Sequence, residues 1–417
     1  MRTTAIGDPG SQAARFSGVD TDSAAIALVC ILLFLVLNPF LALLLLSVIS
    51  IFRRVPTVVF AVSASVAFAL FFFFRDYGIE WYFNSTDDVP NYIYLYESSY
   101  SQSIIDLLSN FIDAPNGNEI LWHLPWWVLL NVSGASGETF VLVHYFVIFA
   151  ALFAALATLS ARHLAPLALT YFLLTPISLD LAAHIWRQEL ATSIFLAGLG
   201  LHLAKGSRAG KWLICAAPLM HLSFIFFALI FFVSEIIRRN RGFDNKLKFS
   251  ASLLVILTVI PLLARAAVFF LDSIGLARIM SYFEGYDIDV TRVYIVICLY
   301  AVPLLVSFYL LRNDDANYAM MVVCFSVFSI AMALPGANSM YERLLMTVLP
   351  LWGLFLFRSL LFNFSARWYL PAMLCIFITG VARVQFVAEH GEGPGRFLAF
   401  GHAFDPFMGV AKMLTNL

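Results

Sequence analysis

Residues 24–50 read AAIALVCILLFLVLNPFLALLLLSVIS, twenty-seven positions without a charged side chain. A helix needs roughly 20 mainly apolar residues to cross the hydrocarbon of a bilayer. Similar runs follow at 57–74, 138–160, 164–180, 188–204, 212–236, 249–271, 293–311, 317–334, 344–361 and 367–382, with a shorter one at 119–133. Of 417 residues, 61% are hydrophobic and 12% charged, where a soluble domain is about a quarter charged. The expected fold is an all-α polytopic integral membrane protein, with about ten transmembrane helices plus one or two short or re-entrant ones. A soluble enzyme, a disulfide-stapled secreted domain and a nucleic-acid-binding protein are excluded. The five cysteines (Cys30, Cys215, Cys298, Cys324, Cys375) all fall inside apolar runs and show neither metal-ligand nor disulfide spacing.

The distribution of Lys and Arg sets orientation. Arg53 and Arg54 place the loop after the first run in the cytoplasm. Loop 75–118 holds one Arg and seven acids and belongs outside. Two further basic loops, with Lys205, Arg208 and Lys211, and with Arg238, Arg239, Arg241, Lys246 and Lys248, belong inside. They flank 212–236 on both sides. That segment contains Pro218, which breaks the helical hydrogen-bond ladder. We therefore read 212–236 as re-entrant or strongly kinked with both ends inside; the other reading is one crossing with a rule-breaking loop. The run 119–133 is expected to dip into the outer face and return. The organisation that follows is a polar tail at 1–22, a single transmembrane domain at 23–383 with its external loop, and an external tail at 384–417.

In this topology the polar residues gather at the outer side: Arg75, Asp76, Glu119, His123, Asp180, His184, Arg187, Gln188, Glu189, Glu342 and Arg343. Charge at membrane depth is costly and usually faces a cavity or partner. His184, Arg187 and Gln188 share a helical face. A guanidinium is a planar fork of donors suited to phosphate or carboxylate; the plainer alternative is an Arg that snorkels to the interface and pairs with Asp180. The outer loop is rich in aromatics (Tyr77, Trp81, Tyr82, Phe83, Tyr92, Tyr94, Tyr96, Tyr100), which suits either a sugar-binding surface or an interfacial belt. His221 sits at the break in 212–236, where it reads as a buried structural histidine or as a site residue.

These residues also form an ordered pattern. Phe74-Arg75, Asp88, Tyr92 and Tyr96 come first, then Asn118-Glu119-Ile120-Leu121-Trp122, then Ile185-Trp186-Arg187-Gln188-Glu189-Leu190-Ala191, then Met220-His221-Leu222-Ser223, and finally Glu342-Arg343. The series resembles the EpsG family of exopolysaccharide polymerases, relatives of the Wzy O-antigen polymerases, over about residues 24–380. Arg-Gln followed by His-x-Ser is its most specific part. Asn-Glu-Ile stands where the family commonly has Glu-Pro.

The resemblance implies a GT-C-like membrane glycosyltransferase. It would move a growing glycan from undecaprenyl diphosphate onto a lipid-linked oligosaccharide repeat unit at the outer face of a bacterial inner membrane. Its partners would be that lipid-linked saccharide, membrane lipids and other assembly proteins such as a flippase and a chain-length regulator, with no nucleic acid. The diphosphate leaving group would be held by Arg187, Arg75 and Arg343, and no metal or other cofactor is expected. The acceptor hydroxyl needs a base or hydrogen-bond acceptor, for which Glu119, Asp88 and His184 are the candidates. Tyr92, Gln188, His221 and His123 would bind sugar or support the site. The alternatives are a single-addition glycosyltransferase using a polyprenyl-phosphate sugar, an O-antigen ligase, and a lipid-linked saccharide transporter or flippase.

Overall fold

The computed structural model describes residues 23–74, 89–98, 103–106, 120–159, 165–173, 185–204, 206–239 and 405–415, with isolated positions beyond 240. Among the described residues the ordered elements are helices, with no strand. They are α1 (Ser23–Val36), α2 (Pro39–Phe52), α3 (Thr57–Phe73), α4 (Val89–Ser98), α5 (Ile120–Ser133), α6 (Gly137–Leu159), α7 (Ala165–Leu173), α8 (Trp186–Leu199), α9 (Ala209–Met220), α10 (Phe224–Arg239) and α11 (Val410–Leu414). One of them, α6, is both long and apolar enough to cross a membrane. The apolar runs expected at 249–271, 293–311, 317–334, 344–361 and 367–382 lie outside the described residues, apart from a few single positions.

Two expectations need correction. The run 24–50 is not one continuous helix but two, α1 and α2, of 14 residues each. Asn38-Pro39 causes the break. Proline disfavours helical backbone at the residue before it, and Asn38 is extended at ψ 135°. Its side-chain oxygen accepts a hydrogen bond from the Phe40 amide at 3.0 Å. Asn38 thus caps α2 while Pro39 occupies the first helical position, where no amide proton is needed. The second correction concerns 119–133. Its described part is a single helix, α5, with no reversal inside it. Pro125 forgoes one backbone hydrogen bond without ending the helix.

The core is an aromatic seam between α3 and α6. Ring centroids lie 5.3 Å apart for Phe60–Phe153, 5.2 Å for Phe68–Phe149 and 5.7 Å for Phe72–Tyr145. Rising numbers on one helix meet falling numbers on the other, so the two are antiparallel. Helix α8 runs parallel to α6: Trp186 stacks on His144 at 4.1 Å, and Gly200 abuts Thr158 and Leu159. The end of α3 and the starts of α6 and α8 therefore share one end of the molecule. The start of α3 and the ends of α6 and α8 share the other, which also holds the exposed Arg53, Arg54 and Arg208. Elsewhere, Ser47 and Thr170 share a buried 2.7 Å hydrogen bond that ties α2 to α7. Residues 405–415 pack on the α1–α2 joint, with the Asn38 amide donating to the Pro406 carbonyl at 2.9 Å and Gly409 lying against Leu35.

Beyond α8, a π-helical turn at Gly200–Ala204 leads to α9, which packs tightly back along α8. A Cβ on Gly198 would stand 2.8 Å from the Gly210 carbonyl, and one on Gly210 would stand 2.5 Å from the His202 amide. Only glycines permit that approach. Helix α9 ends at His221, whose backbone is extended, and α10 begins three residues later. Phe224 and Phe227 meet Phe195 at 5.9 and 5.8 Å, and Glu235 bonds the His202 ring at 3.1 Å. The start of α9 and the end region of α10 thus both lie beside His202. The chain reverses at 221–223, so α9 and α10 form a helical hairpin.

Candidate functional site

At the end opposite the basic loops, four helices bring their aromatic residues together. Tyr92 of α4 stacks on Trp186 of α8 at 5.4 Å, the planes 21° apart, and meets Trp122 of α5 at 5.2 Å. His144 of α6 lies between Trp186 and Trp126, at 4.1 and 4.3 Å, with Trp122 4.8 Å away. Trp122, His144 and Trp186 are fully buried, and Tyr92 and Trp126 nearly so. Tyr96, one turn beyond Tyr92, stacks on Phe140 at 4.3 Å and donates its hydroxyl to the Ala135 carbonyl at 2.9 Å. Burial raises the ionisation of that phenol above its usual value, so it remains a donor at all physiological pH. These two rungs, four residues apart, fix α4 against α6.

Arg187 stands at the edge of this cluster, half-buried, beside the buried Trp186 and Gln188. Its Nε donates to the Tyr92 hydroxyl at 3.4 Å, and its guanidinium carbon lies 5.7 Å from the Tyr92 ring centroid. That contact orients the guanidinium over an aromatic face. Two of the sequence candidates, 95 positions apart, are thus joined directly. His123, next to Trp122, is also buried here. His221 lies at the hairpin turn, with Nδ1 2.7 Å from the Ser223 hydroxyl. Glu119, Asp88, His184, Arg75 and Arg343 lie outside the described residues; the first three each directly precede a described segment in the chain.

The cluster also holds polar atoms with no partner among the described residues, Trp122 Nε1, Trp126 Nε1 and both nitrogens of His144, and further along α8 Glu189 Oε2 and Thr192 Oγ1 are buried in the same condition. Each is costly to bury in that condition. The sequence reading overlooked His144 and Trp126. A lone histidine in a 23-residue apolar helix gives no periodic signal, and its role is visible only when α5 packs across α6. Among the described residues no three His, Cys, Asp or Glu side chains gather into a metal-binding group.

A family model described as the EpsG family matches residues 65–392, most of the chain, from α3 past every candidate residue named above. The chain belongs to the EpsG family. Membership carries a role in polysaccharide biosynthesis at the membrane, and the resemblance read from Arg187-Gln188 and His221-x-Ser223 holds. No curated protein and no solved structure matches this EpsG-family chain. Its site is therefore read from its own geometry.

Proposed function

We propose that this EpsG-family protein is a polysaccharide polymerase. It transfers a growing glycan from undecaprenyl diphosphate to a lipid-linked repeat unit at the outer face of the inner membrane. The observation that carries the reading is the Arg187–Tyr92 pair, set on an aromatic floor at the end of the molecule opposite the basic loops. With the basic loops in the cytoplasm, that floor would lie outside. The chain would cross the membrane about ten times, with both termini outside.

The chemistry matches these groups. As the glycosyl–oxygen bond breaks, negative charge develops on the diphosphate. A guanidinium already oriented at that point stabilises the charge without reorganising. Tyr92, its ring stacked on Trp186, supports the site with a hydroxyl that holds Arg187 in place. Arg75 and Arg343 would share the diphosphate charge, with His123, Gln188 and His221 binding or supporting the sugar and Glu119, Asp88 or His184 receiving the acceptor proton.

The test is the length distribution of the surface glycan with and without the gene. A deletion strain should accumulate single, unpolymerised repeat units on lipid at the outer face. Accumulation on the cytoplasmic face would point to transport, and a glycan of unchanged length would reject the polymerase reading.

A further inference from the structure

We propose that the outward face of α9 binds one anionic phospholipid of the cytoplasmic leaflet, its headgroup on Arg208 and Lys211 and its chains along Trp212, Cys215 and Leu219. The site lies at the foot of the α9–α10 hairpin, away from the sugar-joining end, and stands whether or not the protein joins sugars.

The backbone holds that foot in place. Gly206 takes φ 65°, a left-handed conformation that glycine adopts without strain. Its amide donates to the His202 carbonyl at 3.1 Å, and the Ser207 amide donates to the Leu201 carbonyl at 2.9 Å. The chain thus passes from the π-helical turn into α9 through a bonded corner. Arg208 caps the new helix.

Helical periodicity then sorts the side chains. Gly210, Ile214 and Ala217 are buried, and the first two lie directly against Gly198 of α8. At about 100° per residue, positions 208, 212, 215 and 219 fall within about 60° of one another on the opposite face. Arg208 and Cys215 are exposed there, Trp212 is 77% exposed and Leu219 46%. Lys211 flanks the stripe and is half-buried. Among the described residues no ion pair involves Arg208 or Lys211.

The stripe is ordered along the helix axis. Two cations come first, then an indole, then a thiol and a leucine, and Leu222 at the hairpin tip, 48% exposed, ends it. Twelve residues of α9 rise about 18 Å, little more than half of the roughly 30 Å bilayer core. The stripe therefore spans one leaflet. A phospholipid has the same order and the same reach: charged headgroup, interfacial glycerol, acyl chains. An indole belongs at the interface between the last two, and cytoplasmic Lys and Arg attract the anionic lipids of that leaflet.

Other occupants match one part of the stripe and not the rest. A soluble polyanion would meet the cations and leave the apolar part uncovered. A zwitterionic lipid would cover the apolar part but bring its own cation beside Arg208 and Lys211.

The experiment places full-length protein in phosphatidylcholine bilayers and adds phosphatidylglycerol with brominated chains, which quench a neighbouring indole. Subtracting the signal of Trp212→Phe isolates Trp212. Brominated phosphatidylglycerol should quench it at a fraction about thirtyfold below brominated phosphatidylcholine, the scale of two surface cations. Arg208→Gln and Lys211→Gln should each raise that fraction about fivefold, and the double variant should erase the preference, with melting temperature in phosphatidylcholine unchanged. Soluble glycerol phosphate should not relieve the quenching. Equal quenching by the two lipids would overturn the site and leave α9 against bulk lipid. A preference that survives the double variant, or relief by glycerol phosphate, would overturn it as well.

Discussion

Arg187 shows what one side chain must do. Its Nε–Tyr92 contact is long, 3.4 Å, and its exposure is intermediate. In the proposed reaction this guanidinium faces the leaving diphosphate. Lysine has the charge but neither the planar fork nor the stacking face. Arg187→Lys should therefore lose about 10- to 1000-fold in polymerisation rate, and Arg187→Ala more, with melting temperatures near wild type. An Arg187→Lys enzyme of normal rate would make Arg187 a snorkelling surface charge. Tyr92→Phe separates the two Tyr92 functions: the ring stays, the hydroxyl goes, and about a 3- to 30-fold loss is expected from a less well-held guanidinium. Each residue stood out in the sequence because it sits in a recognisable motif, but their contact did not, since it needs α4 packed against α8. His144 and Trp126 did not stand out, since their significance comes from which helices pack together.

At the scale of elements, the sequence placed α3 and α6 almost to the residue and read a reversal within 212–236 from charge and from Pro218, although Pro218 itself stays inside α9. The basic loops on both sides demanded it, and the break at His221-Leu222-Ser223 supplies it. Two labelled positions test that geometry in the membrane. Single cysteines at Ser207 and Asn245 should both resist an impermeant thiol reagent in intact cells and react after permeabilisation. Labelling of one but not the other would mean that the segment crosses. The hairpin's attachment has its own test. Gly198 accepts the Gly210 backbone where any side chain would collide. Gly198→Leu should push α9 off α8 and cost about 1–3 kcal/mol, the usual penalty of overpacking, read as a drop in melting temperature. The split of 24–50 at Asn38 was missed although Asn-Pro is a turn signal. The apolar run around it dominated the reading, and length alone does not separate one long helix from two of 14 residues.

The described helices have two unlike ends. One gathers Arg53, Arg54 and Arg208 with both feet of the hairpin; the other gathers Tyr92, Trp122, His144, Trp186 and Arg187. The α3–α6 seam and the parallel α8 hold those ends about 20 Å apart along α8. Sequence charge predicted the polarity, because Lys and Arg placement follows membrane insertion. It did not predict how closely the aromatic end is packed, which depends on four helices meeting. The central claim is that this end joins sugars. It is tested most directly with purified protein in proteoliposomes supplied with lipid-linked repeat units and no other enzyme. A ladder of glycans several repeats long, forming with wild-type protein and absent with Arg187→Ala, is the predicted result. Repeat units that cross the bilayer but remain single would contradict it.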